Sequence, residues 1–288
     1  MRRAYLENKK IPQLRWMLLQ VAEAIGTRRR LRERAIGGSS RDHVGNYSLQ
    51  LLDVGCGRAD LTLLVAAQFP ELKVIGVDSN EPSLEQAAQR ASAAGLENLS
   101  LFCGDASSIY KNPPAVDIVM ALHACGGLSD VALHIAAAAG ASALVCSCCY
   151  RKCCKEGSRN FGLGMGESMD LASRWGVDSD DQELLCRLAD CERPEFYRPA
   201  KHIIGCMRLR AHRHLLTKLA PTGATTAAAN VASVSSFSLR CFDESYSPQN
   251  LLLSAQIDLD LCQECELAEY SEKLATVEAS LTNMKRVL

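Results

Sequence analysis

Apolar residues follow two rhythms along this chain. Over residues 10–35 they recur at helical spacing, with Ile11, Leu14, Leu18, Val21 and Ile25 on one face. From residue 49 onward short apolar runs take over, at 49–54, 73–77, 98–103, 116–122 and 141–147, each rich in Val, Ile or Leu. Helical stretches separate them, at 59–68, 81–94 and 128–139. Near-continuous apolar strands alternating with helices predict a parallel sheet covered on both faces. Right-handed crossovers then bring the strand C-termini to one edge, where ligands bind. Further helix is expected over 183–190 and 208–219. Strands over 236–242 and 250–257 are joined by a short turn and should pair antiparallel. The predicted fold is α/β and Rossmann-like: a mostly parallel seven-stranded sheet, an antiparallel last strand, and helices on both faces.

The segments between and beyond these elements set the domain plan. Gly37-Gly38-Ser39-Ser40 is a loop, and residues 221–235 are low in complexity and fit a surface insertion. In the tail, Leu267, Tyr270, Leu274, Val277, Leu281, Met284 and Leu288 step by three and four, a heptad seam over three repeats. Packing against its own domain is the expected role of that seam. Self-association through it is the alternative. Three parts follow: a basic helical extension over 1–44, a domain over 45–257, and a heptad helix over 258–288.

Composition narrows the class. A hydrophobic content of 48% excludes a mainly disordered chain. The apolar runs are too short to span a membrane, and Met1-Arg2-Arg3 opens no secretory signal. Fourteen cysteines, with adjacent pairs at Cys148-Cys149 and Cys153-Cys154, suit free thiols in a reducing compartment. A cytoplasmic protein is expected, with mitochondrial or nuclear placement left open by the Arg-rich start. The net charge of −1 hides segregation, since residues 1–44 carry eleven Lys/Arg against four Asp/Glu. The Arg28-Arg29-Arg30 run with Arg32 could meet phosphate or form a solvated face.

Candidate chemistry begins at Leu51-Leu52-Asp53-Val54-Gly55-Cys56-Gly57. An apolar strand runs into Gly-x-Gly and then a helical pattern, so Gly55 and Gly57 can bring the backbone close to a ligand. The second strand ends at Asp78, where a carboxylate can accept both ribose hydroxyls. The third ends at Asp105, which can accept an adenine amino group. Three acids on three successive strand tips point to S-adenosylmethionine (SAM). Cys56, Ser79, Ala106 and Leu122 complete the expected cofactor contacts. An NAD(P)-dependent oxidoreductase is the rival, but Asp53 would repel the dinucleotide phosphates.

Strand four ends in Leu122-His123-Ala124-Cys125-Gly126, and strand five in Cys146-Ser147-Cys148-Cys149-Tyr150. His123 can act as a general base near neutral pH, against the common alternative of a core or capping histidine. Three readings of the cysteines compete. Thiolates could hold a metal. Cys125 or Cys148 could act as a nucleophile, as in pyrimidine C5-methylases, which place cysteines after strands four and five. Or the cysteines are small side chains that shape the acceptor pocket, and this reading, without metal, is the expected one. Arg151, Lys152, Lys155 and Arg159 could hold an anionic acceptor such as RNA phosphate, or form a solvated face.

Four elements occur in one order: His123-Ala124-Cys125-Gly126 with Ser129-Asp130, then Cys148-Cys149-Tyr150, then Leu185 to Asp190, then Ser247-Pro248-Gln249-Asn250. In this the chain resembles the methyltransferase-like domain of the glutathione S-transferase C-terminal domain-containing proteins, over roughly residues 45–257. The resemblance implies a class I methyltransferase fold and SAM bound by Asp53, Gly55, Gly57, Asp78 and Asp105. It also implies that His123, Cys125, Cys148, Cys149 and Tyr150 border the acceptor. Ala59 departs from the pattern, standing where a glycine is usual, and nothing about glutathione carries over. The expected activity is SAM-dependent methyl transfer, with RNA as acceptor class, His123 removing a proton and Tyr150 orienting the acceptor. A SAM-binding interaction module without catalysis is the alternative.

Overall fold

The computed structural model describes residues 2–35, 48–110, 112–153, 175–219, 235–248 and 250–257. The heptad seam, most of the low-complexity stretch and the Gly37–Ser40 loop lie outside them. Two short helical segments, Arg2–Tyr5 and the π-helical Leu6–Lys10, lead into a long helix, α1 (Ile11–Ala35). Strands and helices then alternate: β1 (Gln50–Val54), α2 (Asp60–Gln68), β2 (Lys73–Asp78), α3 (Glu81–Ala93), β3 (Leu99–Cys103), α4 (Ala106–Tyr110), β4 (Ile118–Leu122), α5 (Leu128–Ala139) and β5 (Ser142–Cys146). The helices α6 (Ser179–Ala189) and α7 (Pro194–Leu219) and the strands β6 (Ser235–Cys241) and β7 (Leu251–Ile257) complete the described order.

The sheet order is β3-β2-β1-β4-β5-β7-β6. Pairs among β1 to β5 are parallel, and β7 runs antiparallel to both β5 and β6. This is the class I methyltransferase topology expected from the sequence, with its strand-order reversal between β1 and β4. Period-two alternation sorts the central strands onto two cores. Leu51, Ile118, Met120, Leu144 and Leu252 face one, while Leu52, Val119, Ala121, Val145 and Leu253 face the other.

The described part of the basic helical extension expected over 1–44 packs on the sheet. Met17, Val21, Ala24 and Ile25 of α1 are buried in the same cluster as Leu51, Ile118 and Leu144. Helix α1 is therefore one of the layers that cover the sheet, its apolar stripe buried against it. Its basic residues are largely engaged as well. Arg28 and Arg32 both reach the buried Asp117, and Arg29 pairs with Glu71. These arginines fasten helix to sheet instead of presenting a bare phosphate-binding face.

A third cluster joins Tyr150, Trp175, Leu185, Cys186, Ile203 and Ile204 beneath α6 and α7. Helix α7 begins at Pro194, well before the predicted start at 208. Pro199 inside its early turns hid this, since proline removes one helical hydrogen bond and argues against helix in a sequence. Among the described residues no helix is long and apolar enough to cross a membrane.

Candidate functional site

The tips of β1 and β4 enclose a pocket of about 240 Å³, lined by Asp53, Gly55, Cys56, Gly57, Leu122 and His123. Lys10, Gln13 and Leu14 close one side of it, and Arg58, Asp60 and Leu61 another. Gly55 and Gly57 both sit at positive φ, 74° and 56°, so the loop turns sharply over the strand tip. Ala59 also has φ 55° and is wholly buried. The third loop position does take the glycine-favouring backbone, at the strain cost an alanine brings.

Asp53 lies in the pocket floor, 3% exposed, and accepts one short hydrogen bond from Thr62 Oγ1 at 2.6 Å. Burial raises its carboxyl to about 7, the Thr62 bond opposes this, and the nearby Asp78 charge adds to it. Asp78 holds the loop from the neighbouring strand. Its Oδ2 accepts from Gly57 N at 2.7 Å and its Oδ1 from Asn80 N at 2.8 Å. Burial pushes the Cys56 thiol well above its ordinary range, so it lines the pocket as a neutral thiol.

Not every predicted cofactor residue meets in this pocket. Ser79 is exposed beyond the β2 tip, and Asp105 is exposed beyond β3, its carbonyl accepting from Ser108. Ala106, buried, opens α4. They extend the same sheet edge away from the enclosed part. Lys10, Gln13 and Leu14 are lining residues that sequence reasoning missed. Their helical phase was visible, but nothing local said which strand tips they would cover.

His123 stands at φ 62°, a left-handed backbone that is uncommon outside glycine and that clusters at functional sites. Its Nε2 lies 3.1 Å from Gln13 Oε1. The Gln13 amide NH₂ donates to the Tyr246 carbonyl at 2.9 Å, which turns Oε1 toward the ring. The ring therefore donates from Nε2, and Nδ1 keeps its lone pair. Desolvation by the surrounding chain, helped by the Lys10 charge, holds the imidazole below the usual histidine range.

Beyond His123 the two loops bring three thiols together. Cys125 Sγ is 2.6 Å from Cys148 Sγ, and Cys148 Sγ is 3.5 Å from Cys149 Sγ. The Cys148 hydrogen bond draws Cys125 down to about 6, while Cys148, which keeps the proton, is raised. The His123 carbonyl lies 3.3 Å from Cys125 Sγ and 3.6 Å from Cys148 Sγ. Cys146 and Cys153 take no part in this group, being buried in separate cores.

Tyr150 requires a correction. It is 2% exposed, packed in the α6–α7 cluster, and burial raises its hydroxyl above the usual tyrosine range. The side chain turns into the core and does not line the pocket, so an acceptor-orienting role falls away. What supports the β5 loop is Asp190, whose carboxylate accepts from Tyr150 N at 2.9 Å and Arg151 N at 2.7 Å. A second clamp is buried. Arg208 pairs with Asp130 at 2.9 Å, donates to Ser147 Oγ at 2.8 Å and to the Gly126 carbonyl at 3.0 Å. Trp175 Nε1 also donates to Asp130, and Ser129 Oγ to the Ala124 carbonyl. Asn250 closes the β6–β7 turn through the Phe242 carbonyl at 2.6 Å.

Residues 33–156 match a family described as a methyltransferase domain. The chain is 27% identical over 162 residues to the mouse (Mus musculus) glutathione S-transferase C-terminal domain-containing protein, covering 56% of this chain and 24% of that protein. This agrees with the resemblance read from the four motifs. It is also 37% identical over 78 residues to a tRNA (guanine-N(7)-)-methyltransferase of Rubrobacter xylanophilus, covering 27% of this chain and 35% of that one. The matches thus span about a quarter to a third of those relatives. Among solved structures, a rRNA methylase from Streptococcus thermophilus aligns over 73% of this chain and 87% of its own, with 13% identity and a TM-score of 0.36.

Proposed function

We propose that this chain is an S-adenosylmethionine-dependent methyltransferase and that its acceptor is RNA. One observation carries the cofactor: the buried Asp53 lies under a glycine loop that Asp78 holds from the next strand tip. A pyrophosphate over that loop would face both carboxylates at close range, which disfavours a nicotinamide dinucleotide. A ligand with a cationic end would instead relieve the buried Asp53, whose one side-chain hydrogen-bond partner among the described residues is Thr62. The pocket around Asp53 would take the methionine end of that cofactor. Asp78 and Ser79 would hold the ribose, and Asp105 and Ala106 the adenine. Bound SAM supplies a methyl group on a sulfonium, already a good leaving group.

The rest falls to residues of the chain. Positioning of the acceptor supplies much of the rate. His123 borders the pocket with Nδ1 as its basic atom and Gln13 fixing its tautomer, and it removes the acceptor proton. For the acceptor, Arg151 and Lys152 are exposed just past the β5 tip, on the acceptor side. Their exposure beside the two loops offers cationic groups to a phosphate there. The partial similarity to tRNA methyltransferases points the same way.

The test is transfer of labelled methyl from SAM into fractionated RNA, protein and small molecules, with Asp78→Ala as control. Label in RNA that is lost in Asp78→Ala, and falls with Arg151→Glu/Lys152→Glu, is the expected result. Label confined to protein or small molecules overturns the RNA acceptor. Tight NAD binding without S-adenosylhomocysteine binding overturns the cofactor.

A further inference from the structure

We propose that Cys125, Cys148 and Cys149 form a binding site for a thiophilic divalent cation of the zinc class. Their three sulfur atoms lie within 4.8 Å of one another, half-buried. Zinc-type ions take thiolates at about 2.3 Å in tetrahedral geometry, which spaces the sulfurs roughly 3.8 Å apart. The Cys148–Cys149 separation of 3.5 Å is close to this. At 2.6 Å, Cys125 and Cys148 are crowded, and the ion would part them by about an ångström through side-chain rotation.

The backbone builds this convergence without help from a ligand. His123 at φ 62° and Gly126 at φ 60° bracket Cys125 and fold the end of β4 back toward β5. A side chain at Gly126 would meet Lys152 backbone atoms at 3.2 and 3.3 Å, so the two loops touch there. Gly126 N donates to the Cys149 carbonyl at 2.9 Å, and Ala124 N to the Cys146 carbonyl at 3.1 Å. Arg208 fixes Gly126 from below, and Asp190 fixes Tyr150 and Arg151. Residues 148 and 149 lie past the end of β5, so strand alternation does not force them to opposite faces. Ligands set out as one from the first loop and an adjacent pair from the second escape any search for two spaced pairs.

Among the described residues no fourth His, Cys, Asp or Glu joins the group. Three protein ligands leave one position for water or an incoming ligand, the arrangement of reactive rather than purely structural zinc sites. The pocket is one residue away, since His123 lines it and its carbonyl faces two of the sulfurs. The site stands whether or not the acceptor is RNA.

The experiment titrates the fully reduced, metal-stripped chain with Zn²⁺ and Co²⁺. One equivalent is expected, with thiolate-to-cobalt charge-transfer absorption and three sulfur neighbours in X-ray absorption of the zinc form. Cys125→Ser and Cys148→Ser should each weaken binding by at least about tenfold, the low end of losses seen even for outer partners of metal ligands. Cys262→Ser/Cys265→Ser, which removes a thiol pair in the tail, should leave it unchanged. S-adenosylhomocysteine binding by the loop variants shows that they are folded and separates this outcome from the cofactor reading. Binding lost only in the tail variant overturns the proposal, as does no binding by the reduced chain. Fewer than three sulfur neighbours in the wild-type protein overturns it even where the serine variants fail to fold.

Discussion

At the residue scale, Asp53 combines a motif position with an unusual environment. Its carboxyl titrates near 7 when folded, against about 4 in an unfolded chain. The native state thus binds the proton more tightly, and stability is lost as pH rises from about 4 to about 7. Thermal melts of the ligand-free protein should show this slope, and Asp53→Asn should lack it while binding S-adenosylhomocysteine more weakly. A slope unchanged by the substitution would show that Asp53 is not the titrating group. Binding of the cationic methionine end should release a proton below pH 7, detectable as a buffer-dependent heat in calorimetry. The Asp53–Gly57 motif was legible because it is local: strand, acid and turn are contiguous. His123 was legible as a residue but not as a conformation, since a left-handed backbone is rarely taken by a histidine and nothing local marks it. Tyr150 misled because a loop, unlike a strand, gives no rule for which way its next side chain points.

At the element scale, α1 decides whether the pocket exists. It buries Met17, Val21 and Ala24 completely and sends Gln13 and Leu14 to the pocket wall. Met17→Ala should cost about 2–5 kcal/mol in urea unfolding, the range for a large-to-small change in a packed core. Removal of residues 1–35 should abolish S-adenosylhomocysteine binding and leave an exposed apolar face, seen as dye binding and self-association. A truncated chain that binds as well as the full one would return α1 to the status of an appendage. The sequence made the helix plain through its periodicity. It left open the docking face and its ion pairs, because Asp117 lies 89 positions from Arg28 and 85 from Arg32. The strands were read to within two residues, the central ones because burial on both faces leaves little room for polar positions. The early turns of α7 were missed because tertiary packing outweighs the local penalty of Pro199.

At the scale of the whole molecule, the buried Arg208–Asp130 pair joins α7, α5 and both acceptor-side loops. Arg208 is 1% exposed and Asp130 6%. Asp130→Asn strands a buried guanidinium and should destabilise the protein by about 3–5 kcal/mol in urea, whereas the paired change Asp130→Leu/Arg208→Met should lose less. Equal losses in the single and paired variants would mean that the pair is not a coupled unit. No sequence signal marked this partnership, because its members are 78 positions apart and each type is ordinary on a surface. The two tryptophans of the chain fall on either side of this arrangement. Trp175 donates its indole N–H to Asp130, with Arg208 5.0 Å from its ring, while Trp16 on α1 meets Phe242 edge-on at 5.5 Å. Their emission should therefore be separable. In a Trp16→Phe protein the remaining fluorescence follows the clamp on the cysteine loops, and in a Trp175→Phe protein it follows the seating of the first helix, giving two optical windows onto opposite walls of one site.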